Sequence, residues 1–199
     1  MTNINSVTLE VPDPTTAASF YAAFGLGDQL HLTASEEPTA GFRGFTISLI
    51  ASQPANVSGL IDAALDAGAT TLKPVTKTFW GYGGVVQAPD GAIWKVATSE
   101  KKDTGPAARQ FDQLVLLLGV GDMAASKRFY VEHGLTVAKS FGRKYVEFAS
   151  GSGPVKLALY GRRALAKDAG IPADGGGSHR LMIGIDTEPF TDPDGFSWA

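Results

Sequence analysis

The sequence predicts an α+β chain made of two similar halves, and two repeated features lead to this prediction. A turn-forming Pro-Asp-Gly triplet occurs twice, at 89–91 and at 193–195, roughly a hundred residues apart. The first copy separates the extended runs 85–86 and 93–96, as expected for a β-hairpin. A Phe-Tyr pair also recurs, at 20–21 and 129–130, and each copy is followed four residues later by Gly-Leu. Repeats at this spacing indicate a tandem of related units.

Composition narrows the classes of function. The 199 residues suffice for one domain or two small ones, and the absence of cysteine excludes disulfides and thiolate metal sites. The formal charge of -3 and the pI near 5.6 argue against a nucleic-acid-binding protein, which usually carries a basic face. The longest apolar run, 114–118, is far too short to span a membrane. The N-terminus shows no secretion signal, so we expect a cytoplasmic protein.

The first half is predicted to hold two helices between strands. Residues 6–11 alternate between apolar and polar, which is typical of a half-buried strand. Asp13, Thr15 or Thr16 can cap a helix over 17–24. An amphipathic helix follows over 57–65. The other strands predicted in this half are 29–33, 45–51 and the two arms of the first hairpin.

The second half repeats this order with one element missing. A strand over 113–120 leads to a helix over 122–130, and 162–169 is predicted as a further short helix. The segment after the strand 180–185 runs almost directly into the second Pro-Asp-Gly turn, so the last helix of the repeat is absent. Gly175 to Gly177 is interpreted as a flexible connector. The remaining predicted strands are 136–141, 145–149 and 155–160.

A polar, breaker-rich segment over 99–109 is predicted to link the halves, which places one domain at 1–98 and an abbreviated one at 110–199. The missing helix should leave the sheet surface near Ile183, Ile185 and Phe190 bare. We expect the first half or a second copy of the chain to cover it, since exposed apolar patches usually mark contacts. A homodimer is one of these two expectations.

The order of strand, Asp, Phe-Tyr helix, Gly-Leu and closing Asp-Gly hairpin resembles the vicinal oxygen chelate superfamily over nearly the whole chain. That superfamily comprises glyoxalase I, extradiol dioxygenases and bleomycin-resistance proteins. The resemblance implies tandem βαβββ modules that form two similar domains, whose curled mixed sheets enclose clefts.

The resemblance also implies a divalent metal on the cleft floor, held by His or Gln on module-opening strands and by Glu on closing strands. The opening positions correspond here to Ser6, Phe45, Gln113 and His179, and the closing ones to Lys95 and Ala199. A further carboxylate position falls near Lys156 or Leu157. An ammonium at Lys95 repels a cation, so we expect no family-type metal and no other cofactor. A set formed by Gln113, Glu147 and His179 is the alternative that stays open.

Aromatic residues are the other candidate site feature, because Trp and Tyr suit planar ligands. Either Trp94 or Lys95 must face the cleft, since neighbouring residues of a strand point to opposite faces, and the family register selects Lys95. His31 and His133 are interpreted as structural. The residues predicted to bind a ligand are Ser6, Phe45, Trp80, Tyr82, Lys95, Gln113, Tyr145, Tyr160 and His179.

The sequence thus predicts that a metal-free cleft binds or sequesters a small aromatic or anionic molecule, as the bleomycin-resistance resemblance implies. Two alternatives stay open. One is a glyoxalase-like lyase or isomerase, or a dioxygenase-like enzyme, with atypical metal ligands. The other is a non-catalytic scaffold whose clefts are filled by side chains.

Overall fold

The computed structural model describes residues 2–199, which form four α-helices and fifteen β-strands. None of these helices is long and apolar enough to cross a membrane. The helices are α1 (Pro14–Ala23), α2 (Pro54–Asp66), α3 (Met123–Glu132) and α4 (Arg162–Ala169). The strands of the first half are β1 (Ile4–Val11), β2 (Leu30–Ala34), β3 (Thr39–Gly41), β4 (Phe45–Ile50), β5 (Thr70–Thr78), β6 (Gly81–Gln87) and β7 (Ile93–Thr98). Those of the second half are β8 (Gln113–Val120), β9 (Val137–Ser140), β10 (Tyr145–Phe148), β11 (Val155–Gly161), β12 (Gly175–Gly177), β13 (Leu181–Ile185), β14 (Phe190–Thr191) and β15 (Ser197–Trp198).

The two halves start in the same way, as the repeat predicted. Asp13 caps α1 by accepting hydrogen bonds from the backbone N–H groups of the next helical turn, and Asp122 caps α3 in the same manner. The tyrosine of each Phe-Tyr pair then donates a hydrogen bond to a hairpin aspartate in its own half. Tyr21 reaches Asp90 at 2.6 Å, and Tyr130 reaches Asp192. These bonds fasten each opening helix to the closing hairpin of its half.

Both large sheets, however, combine strands from the two halves. The eight-stranded sheet has the order β5-β6-β7-β4-β8-β11-β10-β9, and the five-stranded sheet has the order β14-β15-β13-β1-β2. At their centres β4 pairs antiparallel with β8, and β1 pairs antiparallel with β13. The boundaries at 98 and 110 stay a prediction. Neither half, though, holds a complete sheet of its own.

The main core lies between these sheets and α1, α2 and α3. Inner-facing residues of β4 and β8 are fully buried there, together with Trp94, Tyr130 and Trp198. The opposite face of the eight-stranded sheet is curved and open except where α4 crosses it. A second, smaller core under α4 contains Phe42, Val85, Ile93, Leu165, Ala166 and Ala169. One face of the eight-stranded sheet therefore packs against the main core, and the part of the other face that α4 does not cover forms a cleft.

The last module lacks its helix, as predicted, because residues 186–189 connect β13 to β14 with no helical turn. The surface near Ile183 is covered by the chain itself. Ile183 is fully buried opposite Val7 of β1, and Phe190 stacks on Trp198 with ring centroids 5.2 Å apart. The chain itself therefore covers this surface: β1 of the first half lies beside Ile183, while Phe129 and Trp198 of the second half pack on Phe190. Homodimerisation stays a prediction.

Two segments differ from the sequence-based expectation. Residues 70–78 form β5, which was not predicted because Pro74 interrupts the alternating pattern; the strand lies at the sheet edge, where a residue without an N–H is tolerated. Gly175 to Gly177, interpreted as a flexible connector, pairs antiparallel with Thr39 to Gly41 as β12. Backbone pairing between two polar, glycine-containing segments leaves no periodic side-chain pattern to read.

Candidate ligand-binding cleft

The candidate site is a cleft on the face of the eight-stranded sheet that points away from the main core. Two neighbouring cavities of about 490 and 500 Å³ lie along this face. Both are lined by Lys95, Ala97 and Asp168, so they are two compartments of one cleft. We call them the β10 compartment and the β5 compartment, after the strands at their outer ends. Volumes of this size suit a small organic molecule.

Four residues form a row across the floor of the β10 compartment. Ser48 of β4 lies opposite Lys95 of β7 on one side and opposite Val115 of β8 on the other. Val115 in turn lies opposite Lys156 of β11. Directly paired residues share a face of a sheet, and all four line this compartment. The row therefore has an ammonium at each end and two small, nearly buried side chains between them.

Glu147 of β10 joins this row to the outer wall of the cleft. Its carboxylate accepts hydrogen bonds from the Tyr145 hydroxyl at 2.6 Å and from Lys156 Nζ at 3.2 Å, and Lys139 Nζ lies 3.9 Å away. The Glu147 side chain is only 13% exposed. Burial alone would raise its pKa, but the Tyr145 and Lys156 hydrogen bonds and the two ammonium groups lower the pKa of Glu147 below the ordinary value. This carboxylate is therefore ionised at neutral pH.

The two tyrosines of this wall pair across β10 and β11, with ring centroids 5.0 Å apart in an edge-to-face arrangement. Burial, followed by the hydrogen bond to Glu147, raises the pKa of Tyr145. Burial, followed by the negative charge of Asp168, raises the pKa of Tyr160. Both phenols therefore stay protonated at neutral pH and offer an aromatic edge with a hydroxyl group.

The other end of the row is paired with α4. Lys95 Nζ lies 2.7 Å from Asp168 Oδ2, and the two side chains are 36% and 42% exposed. The β10 compartment thus contains three ammonium groups, from Lys95, Lys139 and Lys156, against two carboxylates. One net positive charge is left, so the compartment attracts anions.

Five of the residues predicted to bind a ligand lie along this cleft. Lys95, Gln113, Tyr145 and Tyr160 line the β10 compartment. Trp80 lies at the rim of the β5 compartment, where the residue is 83% exposed. Of Trp94 and Lys95, the lysine faces the cleft, as the family register implied, while Trp94 is fully buried in the main core.

The other four predicted residues point elsewhere. Phe45 is buried in the main core because the odd-numbered residues of β4 face inward. Tyr82 borders the β5 compartment, but its hydroxyl lies 2.9 Å from Ser58 Oγ on α2, on the helix-covered side of the sheet. Ser6 belongs to the five-stranded sheet. Strand register places Phe45 and Tyr82 on the far face of the eight-stranded sheet, since a shift of one residue reverses the face. Ser6 is set apart by the pairing of β1 with β13.

His179 is the fourth, and it lies outside the cleft. Its Nδ1 is 2.5 Å from the carbonyl oxygen of Arg43, its Nε2 is 3.1 Å from that of Asp194, and its ring stacks on Phe196. The alternative metal set of Gln113, Glu147 and His179 is therefore not assembled, because only its first two members share the β10 compartment.

The five-stranded sheet contains a corresponding row with different side chains. Met182 and Ile183 of β13 pair in parallel with Ser197 and Trp198, so the residue matching Lys95 is Ala199 and the one matching Ser48 is Gly184. Gly184 lies opposite Ser6, whose hydroxyl occupies the space where a glycine Cβ would project. Small side chains therefore replace Lys95, Ser48 and Val115 in this row.

The donor set in the cleft does not fit the divalent metal that the fold resemblance implies. The row supplies two ammonium groups, one hydroxyl and one aliphatic side chain, whereas such a site needs about three nitrogen or oxygen ligands free of positive charge. The two carboxylates beside the row, Glu147 and Asp168, are each already bound by an ammonium group, from Lys156 and Lys95. Within residues 2–199, no three His, Asp or Glu side chains come close enough together to hold a metal ion.

No protein-family profile matches this sequence, and no curated protein is significantly similar to it. Solved structures do share its fold. Glyoxalase I from Zea mays aligns with a TM-score of 0.65 and 15% identity over 100% of this chain and 91% of the maize chain. A Bacillus subtilis protein provisionally named a dioxygenase aligns with a TM-score of 0.54 and 12% identity over 92% of this chain and 69% of the other. The chain therefore shares the fold of these proteins, which confirms the fold that the resemblance implied.

Proposed function

We propose that the cleft binds a small aromatic anion, such as a carboxylate or phenolate, and that it does so without a resident divalent metal. The observation that carries the proposal is the row Lys95, Ser48, Val115, Lys156, which has an ammonium at each end. Four adjacent strands span roughly 14 Å, so a planar ring fits over the two small central residues. Tyr145 and Tyr160 supply an aromatic wall beside it.

Binding without chemistry accords better with the titratable groups than catalysis does. A general base or acid works best with a pKa near the operating pH. In this cleft the pKa of Glu147 is lowered and that of Tyr145 is raised, so each group is held away from neutrality. A sequestering protein of the bleomycin-resistance kind is therefore the function we propose, in preference to a glyoxalase-like or dioxygenase-like enzyme.

Ligand charge gives the test. We expect an anionic dye, anilinonaphthalene sulfonate, to bind in a fluorescence titration more tightly than neutral dansyl amide or a cationic acridine dye. Benzoate and salicylate should displace it. The proposal is contradicted if the neutral and cationic dyes bind as tightly as the anionic one.

Lys95→Ala should weaken binding of the anionic dye by about ten- to a hundredfold, because a charge-assisted hydrogen bond contributes roughly 1.5–3 kcal/mol. Lys102→Ala, which removes an exposed ammonium in the linker, provides the control and should leave binding unchanged. Unaltered binding by Lys95→Ala, with its fold verified by circular dichroism, would overturn the assignment.

A further inference from the structure

Helix α4 crosses the cleft face of the eight-stranded sheet and is fixed there. Its buried residues pack on the smaller core beneath it, and Leu165 is fully buried. Lys73 of β5 donates a hydrogen bond of 2.9 Å to the carbonyl oxygen of Lys167 in the last turn. The helix therefore holds Asp168 at the boundary between the two compartments.

Asp168 occupies the position that a ligand anion would take on Lys95. Its Oδ2 lies 2.7 Å from Lys95 Nζ, within the range of a charge-assisted hydrogen bond. Both side chains line both compartments. The Asp168 carboxylate thus binds Lys95 in the way that the anionic group of the proposed ligand would.

The pair is also able to open. Each side chain is more than a third exposed, and ion pairs with that much solvent access are weak. Because α4 is anchored by its apolar side, only the Asp168 side chain has to rotate away. The ammonium of Lys95 can then be taken by another anion without unfolding of the helix.

We propose that Asp168 is an internal competitor that sets the affinity of the cleft for anions. This inference rests on the proposed function and adds a specificity-determining residue to it. A ligand anion must displace Asp168 from Lys95, and the displaced carboxylate continues to repel it. A monoanion that contacts only Lys95 is therefore held more weakly than it would be without Asp168, and a ligand with a second contact, such as a hydroxyl placed against Tyr145 or Glu147, is favoured.

Asp168→Asn tests this directly with anilinonaphthalene sulfonate as the probe. The substitution keeps the size of the side chain and removes its charge, so the dye should bind about two- to fivefold more tightly, the range expected for an exposed ion pair. Binding should also fall more steeply with added salt, because the β10 compartment gains net positive charge. Neutral dansyl amide should show neither change.

Two further variants make the result specific. Asp62→Asn removes an exposed carboxylate from α2 on the other side of the sheet and should leave dye binding unchanged. The double variant Lys95→Met/Asp168→Asn should bind the dye no more tightly than Lys95→Met alone, because Asp168 competes only for Lys95. If the gain persists without Lys95, or if Asp168→Asn binds no more tightly than the parent, the inference is wrong while the proposed function stands. If the parent does not bind the anionic dye at all, both fall.

Discussion

At the scale of single residues, the face of the strand that Glu147 occupies could be predicted from the sequence, but its contacts with other strands could not. The alternation of Tyr145, Val146, Glu147 and Phe148 predicts that Tyr145 and Glu147 share one face of β10, and they do. It does not predict that Lys156 and Lys139 converge on the same carboxylate, because those contacts depend on pairing with two other strands. Lys156 was noted only as a position where a carboxylate was expected, and Asp168 was missed because nothing in the pattern places α4 over the sheet.

The lowered pKa of Glu147 makes stability depend on pH in the acid range. A carboxyl group whose pKa is lower in the folded than in the unfolded chain stabilises the fold at pH values above the unfolded pKa. That contribution is lost as the pH falls from about 4.5 through the lowered pKa. We therefore expect the melting temperature of Glu147→Gln to decrease less steeply below pH 4.5 than that of the parent.

A series of thermal melts between neutral pH and pH 3 checks this, with Glu36→Gln, at an exposed loop position, as the control for loss of one carboxylate. Equal slopes for the parent and Glu147→Gln would show that the Tyr145 and Lys156 contacts do not stabilise the ionised form.

At the scale of elements, the sequence predicted those helices and hairpins whose formation depends on interactions between neighbouring residues. The helix over 162–169 and the hairpin around Asp90 match α4 and β6-β7 because caps, periodicity and turn residues act within a few positions. The position of α4 on the cleft face of the sheet could not be predicted. Its buried residues, Leu165, Ala166 and Ala169, are common in any helix and do not identify a partner surface. The surface that they cover is formed by β6, β7 and β8, which are distant in sequence from α4.

Leu165→Ala tests the role of α4 as the anchor of Asp168. Removing this fully buried side chain should lower the free energy of unfolding by about 2–5 kcal/mol, as measured by urea denaturation. It should also loosen α4 and weaken the competition at Lys95, so that anilinonaphthalene sulfonate binds more tightly to the folded fraction.

Leu60→Ala is the matched control, since Leu60 is fully buried in α2 on the opposite side of the sheet. We expect a comparable loss of stability with unchanged dye binding. A gain in binding that is equal in both variants would point to general loosening of the fold rather than to α4.

At the scale of the whole molecule, the repeat predicted the fold but not which strands of the two halves pair with each other. Two similar halves with opening helices and closing hairpins follow from motifs about a hundred residues apart. The same motifs are equally compatible with sheets formed within each half. The pairing of β4 with β8 and of β1 with β13 is non-local, and it brings Lys95 of the first half and Lys156 of the second into one row.

This shared sheet is also why only some of the residues predicted to bind a ligand lie along the cleft. A cleft assembled within one half would have combined Ser6 or Phe45 with Lys95. Pairing across the halves instead removes Ser6 to the other sheet and joins Lys95 to Gln113, Tyr145 and Tyr160. Sequence periodicity determines which face a residue occupies, but not which strand lies beside it.

The most direct test of a metal-free anion site is a calorimetric titration of the parent and the double variant Lys95→Met/Lys156→Met with anilinonaphthalene sulfonate, before and after the proteins are treated with EDTA and dialysed free of it. We predict that the parent binds one dye molecule per chain, that the chelator makes no difference, and that the double variant binds at least about a hundredfold more weakly while keeping its circular dichroism spectrum. Loss of binding after EDTA treatment and dialysis, or equal binding by the double variant, would contradict the assignment of this cleft.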